Sequence, residues 1–221
     1  MTLVPWPSVL KPNAENVRID ARTRSGGETI NGREQVVSSG LGRWVMTLTV
    51  PLYSPETIRA WRSWLAMMDG RANYTLVGPC DCANANQVVA NIKGIPYSDK
   101  TKHTDGAGFQ QGGAAPAIAE AAAVGATQVT IFNGATKLPV LAGTFIGIND
   151  FLYVVVGVTP LPGEETRLDI RPKLRAAVAP DDPVEWCHAR GPFRLLADDS
   201  GATEIQLART GTATIDLVEV W

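Results

Sequence analysis

Short alternating apolar runs, each closed by Gly, Pro or Asn, recur along this chain far more often than helical periodicity does. That rhythm sets the fold class. In "RWVMTLTV" (43–50), Trp44, Met46, Leu48 and Val50 fall on one side of an extended chain, with Val45, Thr47 and Thr49 on the other. One side is heavily apolar and the other half polar, the pattern of an antiparallel strand with one covered face. Pro51 is expected to end its pairing. Upstream, "NVRIDARTRS" sets Val17, Ile19 and Ala21 against Arg18, Asp20 and Arg22, a half-buried strand with a charged outer face. Between the two, "SGGETINGRE" is turn chemistry through Gly26-Gly27 and Asn31-Gly32.

The rhythm returns in "TQVTIF", "GTFIGIN", "FLYVVVGVTP" and "TRLDIRP", with Asn149-Asp150 and Pro162-Gly163 as hairpin joins. Strands this short and this tightly joined describe a small barrel or sandwich. Three more follow in "GPFRLLADD", "TEIQLART" and "ATIDLVEVW". Residues 79 to 125 change character: they are rich in Gly, Ala, Asn and Gln and read mainly as loops, with "APAIAEAAAV" offering a short helix. The opening "MTLVPWPSVLKP" is extended by its prolines, and Trp6 is expected to anchor it on its own domain.

One stretch breaks the β pattern. In "YSPETIRAWRSWLAMMDG", Ser54 suits the N-cap, Pro55 the first helical position and Glu56 the positive end of the dipole. Ile58, Trp61, Leu65 and Met68 share one face, Trp64 widens it, and Asp69-Gly70 supplies a left-handed stop. The fold expected is therefore mainly β: a β-sandwich domain with one packed α-helix, interrupted by a small β-barrel-like module. The boundaries are 1–112 for the first part, 113–185 for the inserted module and 186–221 for the second part.

Composition excludes more than it assigns. Of the 221 residues, 45% are hydrophobic and 19% charged, a globular balance with enough chain for a real core. A net charge of −2 argues against a phosphate-binding surface and sequence-specific nucleic-acid recognition. No apolar run approaches the roughly 20 residues of a membrane span, and the start lacks a basic signal-peptide region, so cytoplasmic folding without membrane insertion is expected.

Catalytic and metal signatures are thin. Three cysteines cannot all pair within one chain. Cys80-x-Cys82 with Cys187-His188 is a conceivable zinc donor set, but structural zinc sites space their local cysteines by two to four residues, and buried or loop thiols are the expectation. Two histidines, His103 and His188, are a small supply of bases for a cysteine nucleophile. No P-loop, nucleophile elbow or zincin motif occurs, and "GAGFQQGG" lacks the Lys-Ser/Thr of a phosphate loop. "PDDP" (180–183) and "ADDS" (197–200) read as solvated turns, with too few oxygen ligands for calcium. No enzyme activity, cofactor or metal is expected.

The order of these parts resembles the distal tail proteins of long-tailed bacteriophages and phage-like gene transfer agents. Arg43-Trp44 leading into a strand, the capped Trp-bearing helix, "LAGTFIGINDFLYVVVGV" (141–158), "LDIRPKLRAAV" (168–178) and the return through "GPFRL" (191–195) carry the likeness in order. These are packing and turn signatures rather than chemical fingerprints. The resemblance implies a structural virion protein at the tail tip, assembled in the host bacterial cytoplasm. It implies a six-fold ring of identical subunits, whose partners are the tail tube protein and the hub that holds the host-recognition apparatus. The sequence has no long carbohydrate-binding extension of the kind larger members have, which argues against direct receptor binding. Within this reading Arg33, Arg43 and Trp44 are the candidate subunit-interface residues, because a guanidinium beside a strand end can make paired hydrogen bonds to a neighbouring subunit. Two competing readings stand beside it: a glycan- or receptor-binding β module on a virion or cell surface, and a cysteine hydrolase built on Cys80 or Cys82 with a histidine.

Overall fold

The computed structural model describes residues 1–28, 30–80, 116–132, 140–163, 165–186, 188–201 and 211–221. In chain order the elements are β1 (Ala14–Asp20), β2 (Thr23–Glu28), β3 (Glu34–Ser38), β4 (Arg43–Leu52), α1 (Pro55–Met68), β5 (Thr75–Val77), β6 (Ala117–Ile118), β7 (Gln128–Phe132), β8 (Phe145–Ile148), β9 (Phe151–Pro160), β10 (Glu165–Arg171), β11 (Val184–Glu185), β12 (Gly191–Leu195) and β13 (Gly211–Glu219). Over these residues the fold is mainly β with one helix, as the alternating pattern requires. The chain forms two compact units, Met1–Val77 with Gly191–Trp221, and Gly78–Arg190. The boundary expected at 113 lies outside the described residues. At the other end Trp186 sits in the inserted unit's core, so this unit runs past 185 to Arg190.

The first unit is built on an antiparallel sheet in the order β1-β4-β13-β12-β5. Trp44, Met46, Leu48, Val50 and Leu52 of β4 are all buried, as are Ile215 and Leu217 of β13 and Phe193 and Leu195 of β12. Strand β4 continues through Pro51 to Leu52, against expectation. The reason lies in its hydrogen-bonding sides. The Thr49 carbonyl accepts from Asn13 on the β1 side, so the missing N–H of Pro51, two residues on, faces the same side. The β1 ladder has stopped at Thr49, while β13 still pairs with Pro51 and Leu52 on the other side. A proline at that position removes no ladder bond.

Helix α1 covers the apolar side of this sheet. Ser54 and Thr57 form a reciprocal cap, each hydroxyl accepting from the other's backbone N–H at 3.1 Å. Asp69 (φ 49°) and Gly70 (φ 58°) end the helix in left-handed geometry. The buried face is Ile58, Trp61, Trp64 and Met68, so its centre is Trp64 and Leu65 is only half-buried. The Trp61 indole N–H donates to the Gly201 carbonyl at 3.3 Å, and the Trp61 and Trp64 rings lie 5.6 Å apart. Trp6 meets Trp64 edge to face at 4.8 Å and donates to the Leu10 carbonyl, tying the N-terminal segment to its own unit.

The second unit is a six-stranded antiparallel sheet, β11-β8-β9-β10-β7-β6, rolled into a nearly closed barrel. The seam is joined where Ile118 N donates to Asp182 O and Val184 N to Pro116 O. Its interior is filled by Ile131, Ile146, Tyr153, Val155, Leu168 and Ile170, among others. The Tyr153 hydroxyl, inside this core, accepts from Arg175 N at 2.9 Å, so the buried phenol is paired. The helix expected in "APAIAEAAAV" does not form over its described residues. Ile118 is buried in β6, and Ala122 bridges Val178. Alanine's helix propensity is worth only tenths of a kcal/mol per residue, and strand pairing around a buried isoleucine overrides it.

Candidate assembly surface

The ladder between β1 and β4 runs from Ala14 opposite Thr49 to Asp20 opposite Arg43. Beyond it the two chains part briefly and rejoin, with Ser39 N and Oγ both donating to the Arg22 carbonyl. They then pair as β2 and β3 from Thr23 opposite Ser38 to Glu28 opposite Glu34. The four strands are thus two legs of one long hairpin, whose outer half forms a separate two-stranded arm. Gly42 sits at its root. A Cβ there would stand 2.6 Å from the Ile19 methyl and 3.3 Å from the Asp20 carbonyl, so only glycine lets the legs come this close. The Gly26-Gly27 pair, expected in a turn, lies within β2, where the register shifts between Ser25 and Glu28 and Gly27 takes φ 89°. The insertion behaves as a β-bulge, which increases local twist. The reversal itself falls near Asn31-Gly32, with Gly32 at φ 72°.

Every residue of β2 and β3 is exposed. Val36 and Val37 are adjacent, so they point to opposite faces, and both stay exposed at 55% and 59%. Neither face of the arm is therefore covered by other described residues. Near the tip Ile30 is fully exposed, and near the root Leu41 is 48% exposed. Strand β1 forms one edge of the five-stranded sheet, decorated by exposed Glu15, Arg18 and Asp20. At the opposite edge β5 is partly shielded, because Val4 N donates to the Tyr74 carbonyl and Tyr74 N to that of Thr2.

The three residues expected at an interface do not form one cluster. Arg33 is exposed at the arm tip, beside Gly32. Arg43 is half-buried at the root, opposite Asp20, and its Nε is a buried donor with no hydrogen-bond partner among the described residues. Trp44 is 3% exposed. Its ring belongs to the core of its own unit, and as a direct interface contact it is corrected: alternation turns it to the covered face of β4 while Arg43 turns to the other. The sequence reading also missed Glu219, a carboxylate only 3% exposed that accepts from the Trp44 backbone N–H at 3.0 Å. Nothing in "IDLVEVW" distinguishes it from a surface acid.

Of the residues weighed for chemistry, Cys80 and His188 are described, and both are exposed. Cys82, Cys187, His103 and "GAGFQQGG" lie outside the described residues. Among the described residues, no group of three His, Cys, Asp or Glu side chains is placed to hold a metal ion. The acidic turns serve local geometry: Asp198 accepts from Arg71 N at 3.1 Å, and Asp182 from Ala179 N at 2.9 Å. No helix among the described residues is long and apolar enough to cross a membrane. No protein-family model matches the chain, and no curated protein matches it.

Proposed function

We propose that the protein is a structural subunit of the tail-tip ring of a long-tailed bacteriophage or related gene transfer particle. In this reading it joins the tail tube to the hub, without a catalytic step of its own. The observation that carries this is the arm. A lone two-stranded hairpin is at best marginally stable in water, and this one exposes β-branched side chains on both faces. Such a segment gains most from lying on another chain. The edge of β1 offers a site for it on a neighbouring copy, since an uncovered strand edge is a template for further pairing. Arm and edge are different surfaces, so the contact is head-to-tail, and repeated head-to-tail contacts close into a ring when the rotation allows. The nearly closed barrel leaves no comparable edge at its joined seam, so assembly falls to the first unit. The resemblance in segment order supports the same role and supplies the six-fold count and the tube and hub partners.

The test is the native mass of the purified protein across a concentration series, with negative-stain images of the heaviest species. Rings of six copies, or co-assembly with tail tube and hub proteins, are expected. A monomer at every concentration that also fails to enter tails would overturn the reading.

A further inference from the structure

The two faces of the arm carry opposite charge. Residues directly opposite in an antiparallel pair share a face, so the register of β2 and β3 sorts their side chains. Thr23 with Ser38, Ser25 with Val36, and Glu28 with Glu34 lie on one side. Arg24 with Val37 lies on the other, which alternation also gives to Gln35. Arg22, two residues before Arg24, extends that side toward the root, where its carbonyl accepts from Ser39 N at 3.0 Å. Arg33 precedes the last ladder pair, and continued alternation sets it away from Glu34. One face is therefore acidic toward the tip and the other is basic, each with an exposed valine between its ends. The glutamates and these three arginines are exposed as well.

Glu28 and Glu34 stand directly opposite each other, a like-charge pairing that weakens a hairpin left on its own. A guanidinium from another chain, set between them, turns that repulsion into charge-assisted hydrogen bonds. The arginines of the other face have the converse need. Each face is thus the complement of the other, and a second copy of this chain supplies both in equal number. We propose that the arms of successive copies stack face to face, with Glu28 and Glu34 of one arm over Arg22 and Arg24 of the next. Val37, the ladder partner of Arg24, lies three residues nearer the root than Glu34, which is roughly 10 Å along a strand. A stack staggered by that amount brings carboxylates over guanidiniums, and Val36 and Val37 lose water in the same contact. The choice of occupant rests on the ring reading. Pairing of the arm's edge engages its main chain and leaves both faces open, so stacking adds to that contact. It also gives the contact a direction. Two copies stacked this way still leave one acidic and one basic face uncovered, and only a closed ring satisfies every face.

The experiment uses two full-length variants substituted only at exposed positions. Glu28→Lys/Glu34→Lys makes both faces basic, and Arg22→Glu/Arg24→Glu makes both acidic. Alone, each should need at least tenfold higher concentration than the parent protein to associate in sedimentation. An equimolar mixture should regain the parent's association, with the two chains present one to one. Amide chemical shifts of Ser25, Val36 and Val37 in the mixture report stacking even where no ring closes. Parent-like association of either variant alone, a mixture that associates no better than its parts, or shifts confined to other residues would each overturn the proposal. A parent that stays monomeric while the mixture moves these three amides would sink the ring and keep the stack. Rings formed by each variant unaided would do the reverse.

Discussion

Adjacent residues in this protein are sent to opposite tasks by the pleat of a single strand. Trp44 fills its own core, and Arg43 beside it turns a guanidinium to the other face. Arg43→Ala is therefore expected to leave thermal unfolding nearly unchanged and to shift the ring–monomer balance toward monomer in sedimentation. Arg43→Lys should behave similarly, because an ammonium cannot reproduce the planar donor fork. If stability falls while assembly is normal, Arg43 works within its own chain. Trp61, 2% exposed with a bonded indole N–H, is a different kind of residue. Trp61→Ala should destabilise the fold by about 3–5 kcal/mol in denaturant titration, the range for large aromatic truncations in a core. An effect below about 1 kcal/mol would contradict the packing of α1 described above. Loss of the Glu219 acceptor by Glu219→Ala should remove about 1–3 kcal/mol, since it deletes a charged acceptor that bonds a buried backbone N–H.

At the level of elements, the arm is the most consequential piece and the least expected. Helix α1 was legible in the sequence because capping, dipole and a three-four apolar spacing all agreed on the same boundaries. The strands β4, β7, β8, β9 and β10 were legible because alternation and turn dipeptides agreed. The arm escaped notice because its signals conflict. Gly26-Gly27 mark a bulge rather than a reversal, and adjacent Val36 and Val37 break the alternation expected of a half-buried strand. The sequence shows a polar, glycine-rich stretch, and only the pairing shows a projection with two open faces. Replacing residues 23–38 by a short Gly/Ser turn should preserve the far-ultraviolet spectrum and cooperative unfolding of the remainder. It should also abolish species heavier than the monomer in native mass measurements. Retention of rings would show that the arm is not the joint.

For the molecule as a whole, the insertion is made at a place where the chain is already folded back on itself. Gly191 sits directly opposite Val77 in the ladder between β5 and β12. On the barrel side of the junction, Gly78 lies so close to the backbone of Ala189 that no Cβ fits between them. Exchanging 78–190 for Asn-Gly should therefore leave β5 and β12 as an ordinary two-residue hairpin and the first unit folded. Loss of its cooperative transition would show that the units depend on each other for stability. The same junction has a kinetic meaning. Bringing together the ends of an unstructured loop of this length is entropically unfavourable by about 4 kcal/mol, whereas a barrel that has already folded presents its two ends side by side. A barrel that closes first would act as an internal clasp during folding, shortening the search by which β12 and β13 find β5 and β4. Weakening its core, for instance by Ile131→Ala, should then slow the refolding of a sheet that the substituted residue never touches.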